Sequence, residues 1–325
     1  VKKKILITDR FSFESQLYLE RQGPFEILKA PHPLDLPLES IVNCHALLIR
    51  SKTQISKELL EKARNLQVIV SMTSGFDHID LPSCQKWGIT VMHTPWAHRE
   101  SAAQLTWSMV MALATQVVPA HVQIQNHQWA RDPLTGFEVS GRTYGVIGLG
   151  RIGTRVAEIA KAFGLKVVAF DPHQDRETFE SRGIERLGLE EVFHQADIIS
   201  LHVPKTAQTQ NLIHRHILSD LPKPVVLINT CRGSVISEEL LCEALEKKWL
   251  VSAAQDVFDT EPLPLESALR KAPRLLMTPH IGSNTEEALE KASQMAAEKL
   301  KHFFESGVTS DTLPPKAAWY QEIST

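Results

Sequence analysis

A chain of 325 residues exceeds what one hydrophobic core usually holds, so two domains are expected. Its 43% hydrophobic and 22% charged content and its net charge of −3 are ordinary for a globular protein and give no argument for nucleic acid or membrane as partner. The run after Lys2, Lys3 and Lys4 is too short for a signal peptide, no stretch approaches the ~20 apolar residues of a membrane span, and Cys44, Cys84, Cys231 and Cys242 lack metal-site spacing, so reduced thiols, no metal and a cytoplasmic location are expected.

Strands are expected at residues 5–8, 46–49, 67–70 and 90–92, alternating with helices at 13–21, 56–64 and 81–86. This alternation predicts a parallel α/β sheet, with Pro31, Pro33 and Pro37 marking a loop. A long helix is expected over 100–115, followed by Pro119 and a polar continuation to Trp129. After Gly141 the alternation restarts, with strands at 143–147, 167–170, 197–201, 225–228, 251–254 and 274–277 and helices between them, including 237–247. The last run, 285–304, carries a 3.6-residue apolar period behind a small polar loop, as a capped helix does.

The most informative segment runs from Val146 through Gly148, Gly150, Arg151, Ile152 and Gly153 to a second strand ending at Asp171. Three glycines at this spacing give a tight turn, a backbone open to a pyrophosphate and a close helix–strand contact. The helix that follows points free N–H groups and a positive dipole end at the phosphates. Asp171, 18 residues beyond Gly153, stands where a carboxylate accepts both ribose hydroxyls of NAD and repels a 2′-phosphate. The expected architecture is α/β, with two Rossmann-like domains built on parallel sheets and joined by two long hinge helices. The first domain is discontinuous, residues 1–99 and 282–325, and takes the substrate. The second, residues 100–281, takes NAD, and a cleft between the two is the expected ligand site.

Three further segments follow strands of the second domain. Arg232, between Cys231 and Gly233, is placed at the carboxyl edge of the sheet, where its planar fork suits a carboxylate. Asp256, Asp259 and Glu261 follow the next strand, and His280 stands between Pro279 and Gly282 after the last. Together they suggest a proton-transfer site: Glu261 beside His280 favours imidazolium, and Arg232 holds and polarises a carbonyl acid.

With these residues in place, the chain resembles the D-isomer-specific 2-hydroxyacid dehydrogenase family along essentially its whole length. The resemblance is carried by Ser74 to Asp80 with Gly88 to Val91, by Gly148 to Gly153 with Asp171, by Asn229 to Gly233 with Ser237 to Leu241, and by Asp256 to Pro262 with His280 to Ser283. It implies a catalytic role for Arg232, Glu261 and His280. It further implies cofactor contacts from Gly148, Gly150, Arg151, Ile152, Gly153, Asp171, Val203, Thr230, Asp256, His280, Gly282 and Ser283. Asp256 would meet the nicotinamide amide, and the backbone amides of Ser74 and Gly75 would receive the substrate carboxylate together with Arg232 and His280. The function implied is NAD-dependent interconversion of a D-2-hydroxy acid and its 2-oxo acid.

Within the family, Leu48 to Thr53 is similar to the D-3-phosphoglycerate dehydrogenase branch, where an arginine at the place of Arg50 helps hold the substrate phosphate. Glyoxylate and hydroxypyruvate reductases are the alternative, since an arginine also stands there in them. An NAD(H)-sensing corepressor with little turnover is a second alternative. Formate dehydrogenases are disfavoured because they pair the histidine with glutamine. The chain departs from the pattern at Gln104, where an acid is usual, and over the bulky stretch from Trp96 to Glu100. A short form without a C-terminal regulatory domain is expected. Trp107, Met109 and Met111 on the hinge helix suggest packing or a subunit interface, and a homodimer is expected.

Overall fold

A computed structural model describes residues 2–34, 36–317 and 320. Contacts divide them into two compact units, one drawn from Val1–His98 and Ser283–Thr325, the other from Arg99–Gly282. The strands are β1 (Lys3–Ile7), β2 (Phe25–Lys29), β3 (Ala46–Ile49), β4 (Val68–Ser71), β5 (Thr90–His93), β6 (Thr143–Ile147) and β7 (Lys166–Phe170). They continue with β8 (Glu185–Arg186), β9 (Ile198–Leu201), β10 (Val225–Asn229), β11 (Leu250–Gln255), β12 (Leu275–Met277) and β13 (Thr312–Leu313).

In the first unit the sheet order is β13-β5-β4-β3-β1-β2, parallel except for the antiparallel edge strand β13. Its centre is apolar on both faces: every residue of β3 is fully buried, as a sheet covered by helices on both sides requires. The helix Glu286–Ser306 closes one face of this unit. Thr285 caps it by accepting the Ala288 N–H, and Gly307, with φ of 69°, ends it in the left-handed conformation. Its buried stripe of Ala288, Ala292, Ala296, Ala297 and Leu300 is small enough to lie close against β4 and the helix Phe13–Gln22.

The second unit is a seven-stranded parallel sheet in the order β12-β11-β10-β9-β6-β7-β8. The order reverses between β6 and β9, and in the first unit between β1 and β3. Open α/β sheets bind ligands at the carboxyl ends of strands at such reversals. These two mostly parallel sheets agree with the α/β expectation.

Three strands escape the sequence pattern for one reason. β2, β8 and β13 all lie at sheet edges, and the last two are two residues long, so β2 and β13 are only partly buried, β8 is exposed, and none carries a readable period. Pro119 likewise does not break structure. It sits in the first turn of a separate helix, Val117–Gln125, where its missing N–H is tolerated, and Gln116 with φ of 57° marks the joint. Among the described residues no single helix is long and apolar enough to cross a membrane. Helices Arg99–Thr115 and Val117–Gln125 reach that length together only across a bend of 66°.

Trp107 resolves to packing. Its ring stacks on Tyr144 and Phe163 at 5.3 and 5.0 Å, and its indole N–H donates to Val156 O at 3.1 Å. Met109 is buried in the same core and Met111 packs against it.

Candidate active site

The cofactor loop is built by β6, the turn at Gly148 to Gly150 and the helix Arg151–Ala162. Each glycine has a different reason. Gly148 has φ of 95°, and a Cβ there would meet His202 O at 2.6 Å across the sheet reversal. A Cβ on Gly153 would stand 2.0 Å from Gly148 O, so only glycine lets the helix approach the turn. A Cβ on Gly150 would meet nothing within 4 Å, so the protein itself does not need glycine there. Open space at Gly150, and a helix start that no side chain caps, suit the approach of a phosphate to the first turn of this helix. The residues therefore fit a dinucleotide. Asp171, at the end of β7, braces the loop by accepting from Leu149 N at 2.7 Å and His173 N at 2.9 Å.

Two other residues carried over for the cofactor line this edge. Val203 packs against the core beyond β9, and Thr230 follows β10. Thr106 donates to Ala102 O at 2.9 Å, so the 2.8 Å contact between the two threonine hydroxyls has Thr230 as donor. His202 lies 2.8 Å from Ser200 Oγ, and burial pushes its pKa down to about 3, so it stays neutral.

Arg232 is set by a turn that Asn229 organises. The buried Asn229 amide donates to Arg232 O at 2.9 Å and Gln255 Oε1 at 3.1 Å, while its oxygen accepts from Cys231 N at 3.1 Å. Gly233 is required because the backbone of Phe258 and Asp259 passes within 2.5 Å of where its Cβ would stand. Cys231 Sγ lies 3.2 Å from Asn229 Oδ1, and burial pushes the thiol pKa up, which leaves it unreactive.

His280 Nδ1 and Glu261 Oε2 are 2.7 Å apart, and Glu261 Oε1 accepts from Phe258 N at 2.9 Å. The hydrogen bond to Glu261 raises the His280 pKa above its ordinary value, against burial and the nearby Arg232 charge, which lower it. Burial alone would raise the Glu261 pKa, but the bonds from His280 and Phe258 outweigh it and hold the carboxyl below its ordinary value. With Nδ1 committed to Glu261, Nε2 is the nitrogen that can exchange a proton with a substrate.

The buried carboxylate of Asp256 accepts from Thr278 Oγ1 at 2.6 Å, Ile281 N at 2.8 Å and Gly282 N at 2.9 Å. It thereby holds the turn in which His280 adopts a left-handed φ of 54°, uncommon for a residue with a side chain. Burial raises the Asp256 pKa, and those bonds oppose it. Sequence reasoning placed Asp256 near the site but not as the brace of this turn, and it gave Asn229 no role of its own. Ser283 opens the second segment of the first unit.

In the first unit Arg50 follows β3, and Ser74 and Gly75 follow β4. Burial lowers the Arg50 pKa, Asp9 opposes this and Arg10 adds to it, so Arg50 is a half-buried cation near a second one. At Gln104, the side-chain amide donates to Glu100 at 3.3 Å, and Glu100 holds Arg155 through bonds of 2.9 and 3.1 Å. A carboxylate is thus present on this helix, one turn earlier than the family pattern has it.

The model of the D-isomer specific 2-hydroxyacid dehydrogenase NAD binding domain matches residues 107–282. D-3-phosphoglycerate dehydrogenase of Methanocaldococcus jannaschii is 37% identical over 92% of this chain and 57% of its own length. Glyoxylate reductase of Korarchaeum cryptofilum is 32% identical over 93% of each chain. The crystal structure of D-lactate dehydrogenase from Aquifex aeolicus, complexed with NAD and lactic acid, superposes with a TM-score of 0.82 at 28% identity, covering 93% of this chain and 95% of that one. The chain belongs to the D-isomer-specific 2-hydroxyacid dehydrogenase family. It spans about half the length of the D-3-phosphoglycerate dehydrogenases it matches.

Proposed function

We propose that this chain catalyses the reversible, NAD-dependent interconversion of a D-2-hydroxy acid and its 2-oxo acid. The observation that carries this reading is the 2.7 Å His280–Glu261 pair beside Arg232, on a domain whose glycine loop fits NAD. NAD supplies the two-electron carrier when bound. Protonated His280 gives its Nε2 proton to the carbonyl oxygen in reduction and takes it back in oxidation. Arg232 pairs with the substrate carboxylate and polarises the adjacent carbonyl. The amides of Ser74 and Gly75 are assigned to a substrate carboxylate, and Gly148 to Gly153, Asp171, Val203, Thr230, Asp256, Gly282 and Ser283 to the cofactor. Domain roles follow: the first unit takes substrate, the second NAD.

The substrate we infer is 3-phosphoglycerate, on the half-buried Arg50 cation with Arg10 close enough to perturb it. A second reading, a glyoxylate or hydroxypyruvate reductase, is supported by the 32% identity to the Korarchaeum glyoxylate reductase over 93% of this chain. The relatives above are named as dehydrogenases and reductases, which favours turnover over a corepressor role. A steady-state panel of 3-phosphoglycerate, glyoxylate and hydroxypyruvate, repeated with Arg50→Ala, decides between them. Loss confined to 3-phosphoglycerate supports the first substrate, and an unchanged panel supports the second.

We further place the chain in the cytoplasm as a homodimer. All four cysteines are free, and burial pushes the thiols of Cys44 and Cys84 up to about 12. The helix Val117–Gln125 exposes Val117, Val118, Val122 and Ile124, with Trp129 just beyond, an apolar face suited to a second copy. Sedimentation of wild type against a Val122→Glu, Ile124→Glu variant tests it.

A further inference from the structure

The loop after β4 is held from behind by three histidines that neither the cofactor fold nor the Arg232–Glu261–His280 group uses. His78, His93 and His98 are 8%, 6% and 4% exposed. His93 Nδ1 lies 3.1 Å from Ser74 O, and His98 Nε2 lies 3.0 Å from Met72 O. A carbonyl oxygen only accepts, so His93 carries a proton on Nδ1 and His98 on Nε2. The third histidine acts through hydroxyls. Thr73 donates to Gly75 O at 2.6 Å, which uses its proton. It therefore accepts from Ser71 Oγ at 2.6 Å, which in turn accepts from His78 Nε2 at 3.1 Å. The carbonyls of Met72, Ser74 and Gly75 are thus each held by a donor of the first unit.

Peptide planarity turns that hold into amide orientation. In a trans peptide the C=O of one residue and the N–H of the next point in opposite directions. His93, by holding Ser74 O, fixes the Gly75 N–H, and His98, by holding Met72 O, fixes the Thr73 N–H. Ser74 Oγ also donates to Pro95 O at 3.3 Å, tying the loop to the segment between the two histidines. Burial keeps the His98 imidazole below its ordinary pKa, despite its bond to Met72 O, which suits a neutral N–H donor.

We propose that His93 and His98 are positioning residues that turn the Gly75 and Thr73 amides toward a substrate carboxylate, with the His78–Ser71–Thr73 relay closing the loop behind them. The inference rests on the reading of the Ser74 and Gly75 amides as the carboxylate receiver. It makes the anion site of the first unit depend on imidazoles that never touch substrate.

Paired variants of the full chain test it. His93→Asn keeps a donor near the place of Nδ1, and His98→Gln keeps one near Nε2, whereas His93→Leu and His98→Leu remove it. Amide hydrogen exchange reads the hold without reference to catalysis: the leucine variants should speed exchange at residues 73–76 about tenfold, and the amide variants should restore it. Steady-state reduction of glyoxylate and hydroxypyruvate reads the consequence: the leucine variants should raise the KM for the 2-oxo acid about tenfold, with kcat and the KM for NADH within about twofold. Leucine variants with unchanged exchange overturn the proposal, as does faster exchange with an unchanged KM, or His93→Asn behaving like His93→Leu. If His93→Leu does not fold, His93→Gln gives the same contrast, since it moves the donor by one carbon. A wild-type chain that reduces no 2-oxo acid overturns the proposed interconversion of 2-hydroxy and 2-oxo acids itself, before any variant is made, and takes the carboxylate role of the loop with it.

Discussion

At the carboxyl edges of the two sheets, the loops proposed to bind and to react are braced mainly by different groups, although Asn229 also donates to Arg232 O in the second unit and Asp9 accepts from Arg10 N in the first. In the second unit, acceptors grip backbone N–H groups: Asp171 takes Leu149 and His173, Asp256 takes Ile281 and Gly282, and Glu261 takes Phe258. In the first unit, donors grip carbonyls: His93 takes Ser74, His98 takes Met72, Thr73 takes Gly75 and Thr8 takes Leu48 at 3.3 Å. Gripping a carbonyl turns amide N–H groups outward, which suits a loop that receives an anion. Carboxylates gripping N–H groups instead leave negative charge beside an imidazole, which suits proton transfer. Under the proposed function, one fold class used twice would serve as a binding edge and a reacting edge, distinguished by which half of the peptide the bracing side chains mainly hold.

If that division is right, substitutions in the second unit lower kcat and those in the first raise KM. The largest effect is expected from His280→Ala, a loss of roughly 10²–10⁴ in kcat for every 2-oxo acid reduced. Near-wild-type kcat in that variant would erase the distinction between the two edges. Arg232→Ala comes next, with kcat reduced by roughly 10², because the polarisation of the carbonyl is lost from the transition state. Arg50→Ala, in the first unit, should change KM alone, so a kcat effect there would blur the comparison.

The glycine loop allows a test within one unit. Gly153→Ala should lower stability by about 1–3 kcal/mol, since its Cβ meets a backbone oxygen that cannot move aside. Gly150→Ala has room and an ordinary φ of −77°, so its melting temperature should stay near wild type while the Kd for NADH rises about tenfold. Calorimetry and a binding titration on both variants separate packing from cofactor approach. Equal melting temperatures for the two would remove the reason given for Gly153.

What was legible in the sequence is what backbone geometry or burial demands of residue type. Gly148 and Gly153 answer to close contacts, and the runs at β3 and β9 to burial on both sheet faces. The order Arg232, Glu261, His280 was legible because each residue directly follows a strand or its loop. The edge strands β2 and β13 were not, since half-exposed short segments carry no period. Nor were the braces. Asp256 holds the 278–282 turn across more than twenty residues, and His93 and His98 reach a loop about twenty residues away, so their partners exist only once the chain has folded. Trp107 read equally as packing or interface because an apolar helix position does not say which neighbour covers it.

The smallest effect is the most diagnostic of the acid-held edge. Glu261 raises the His280 pKa, so reduction, which needs the imidazolium, declines only as pH rises through that raised value. Glu261→Gln removes the charge and keeps a hydrogen-bond acceptor near Nδ1. The reduction limb should therefore fall at lower pH than in wild type, while oxidation, which needs neutral His280, should begin at lower pH. Stability carries the same sign. The raised imidazole pKa contributes stabilisation that is fully present below its unfolded value of ~6.5 and is lost as pH rises through the folded one. The lowered Glu261 pKa contributes stabilisation above the ordinary carboxylate range, lost as pH falls through its folded value. Superimposable pH profiles for wild type and Glu261→Gln would mean that the carboxylate only orients the ring, and the second unit's edge would then be a scaffold like the first.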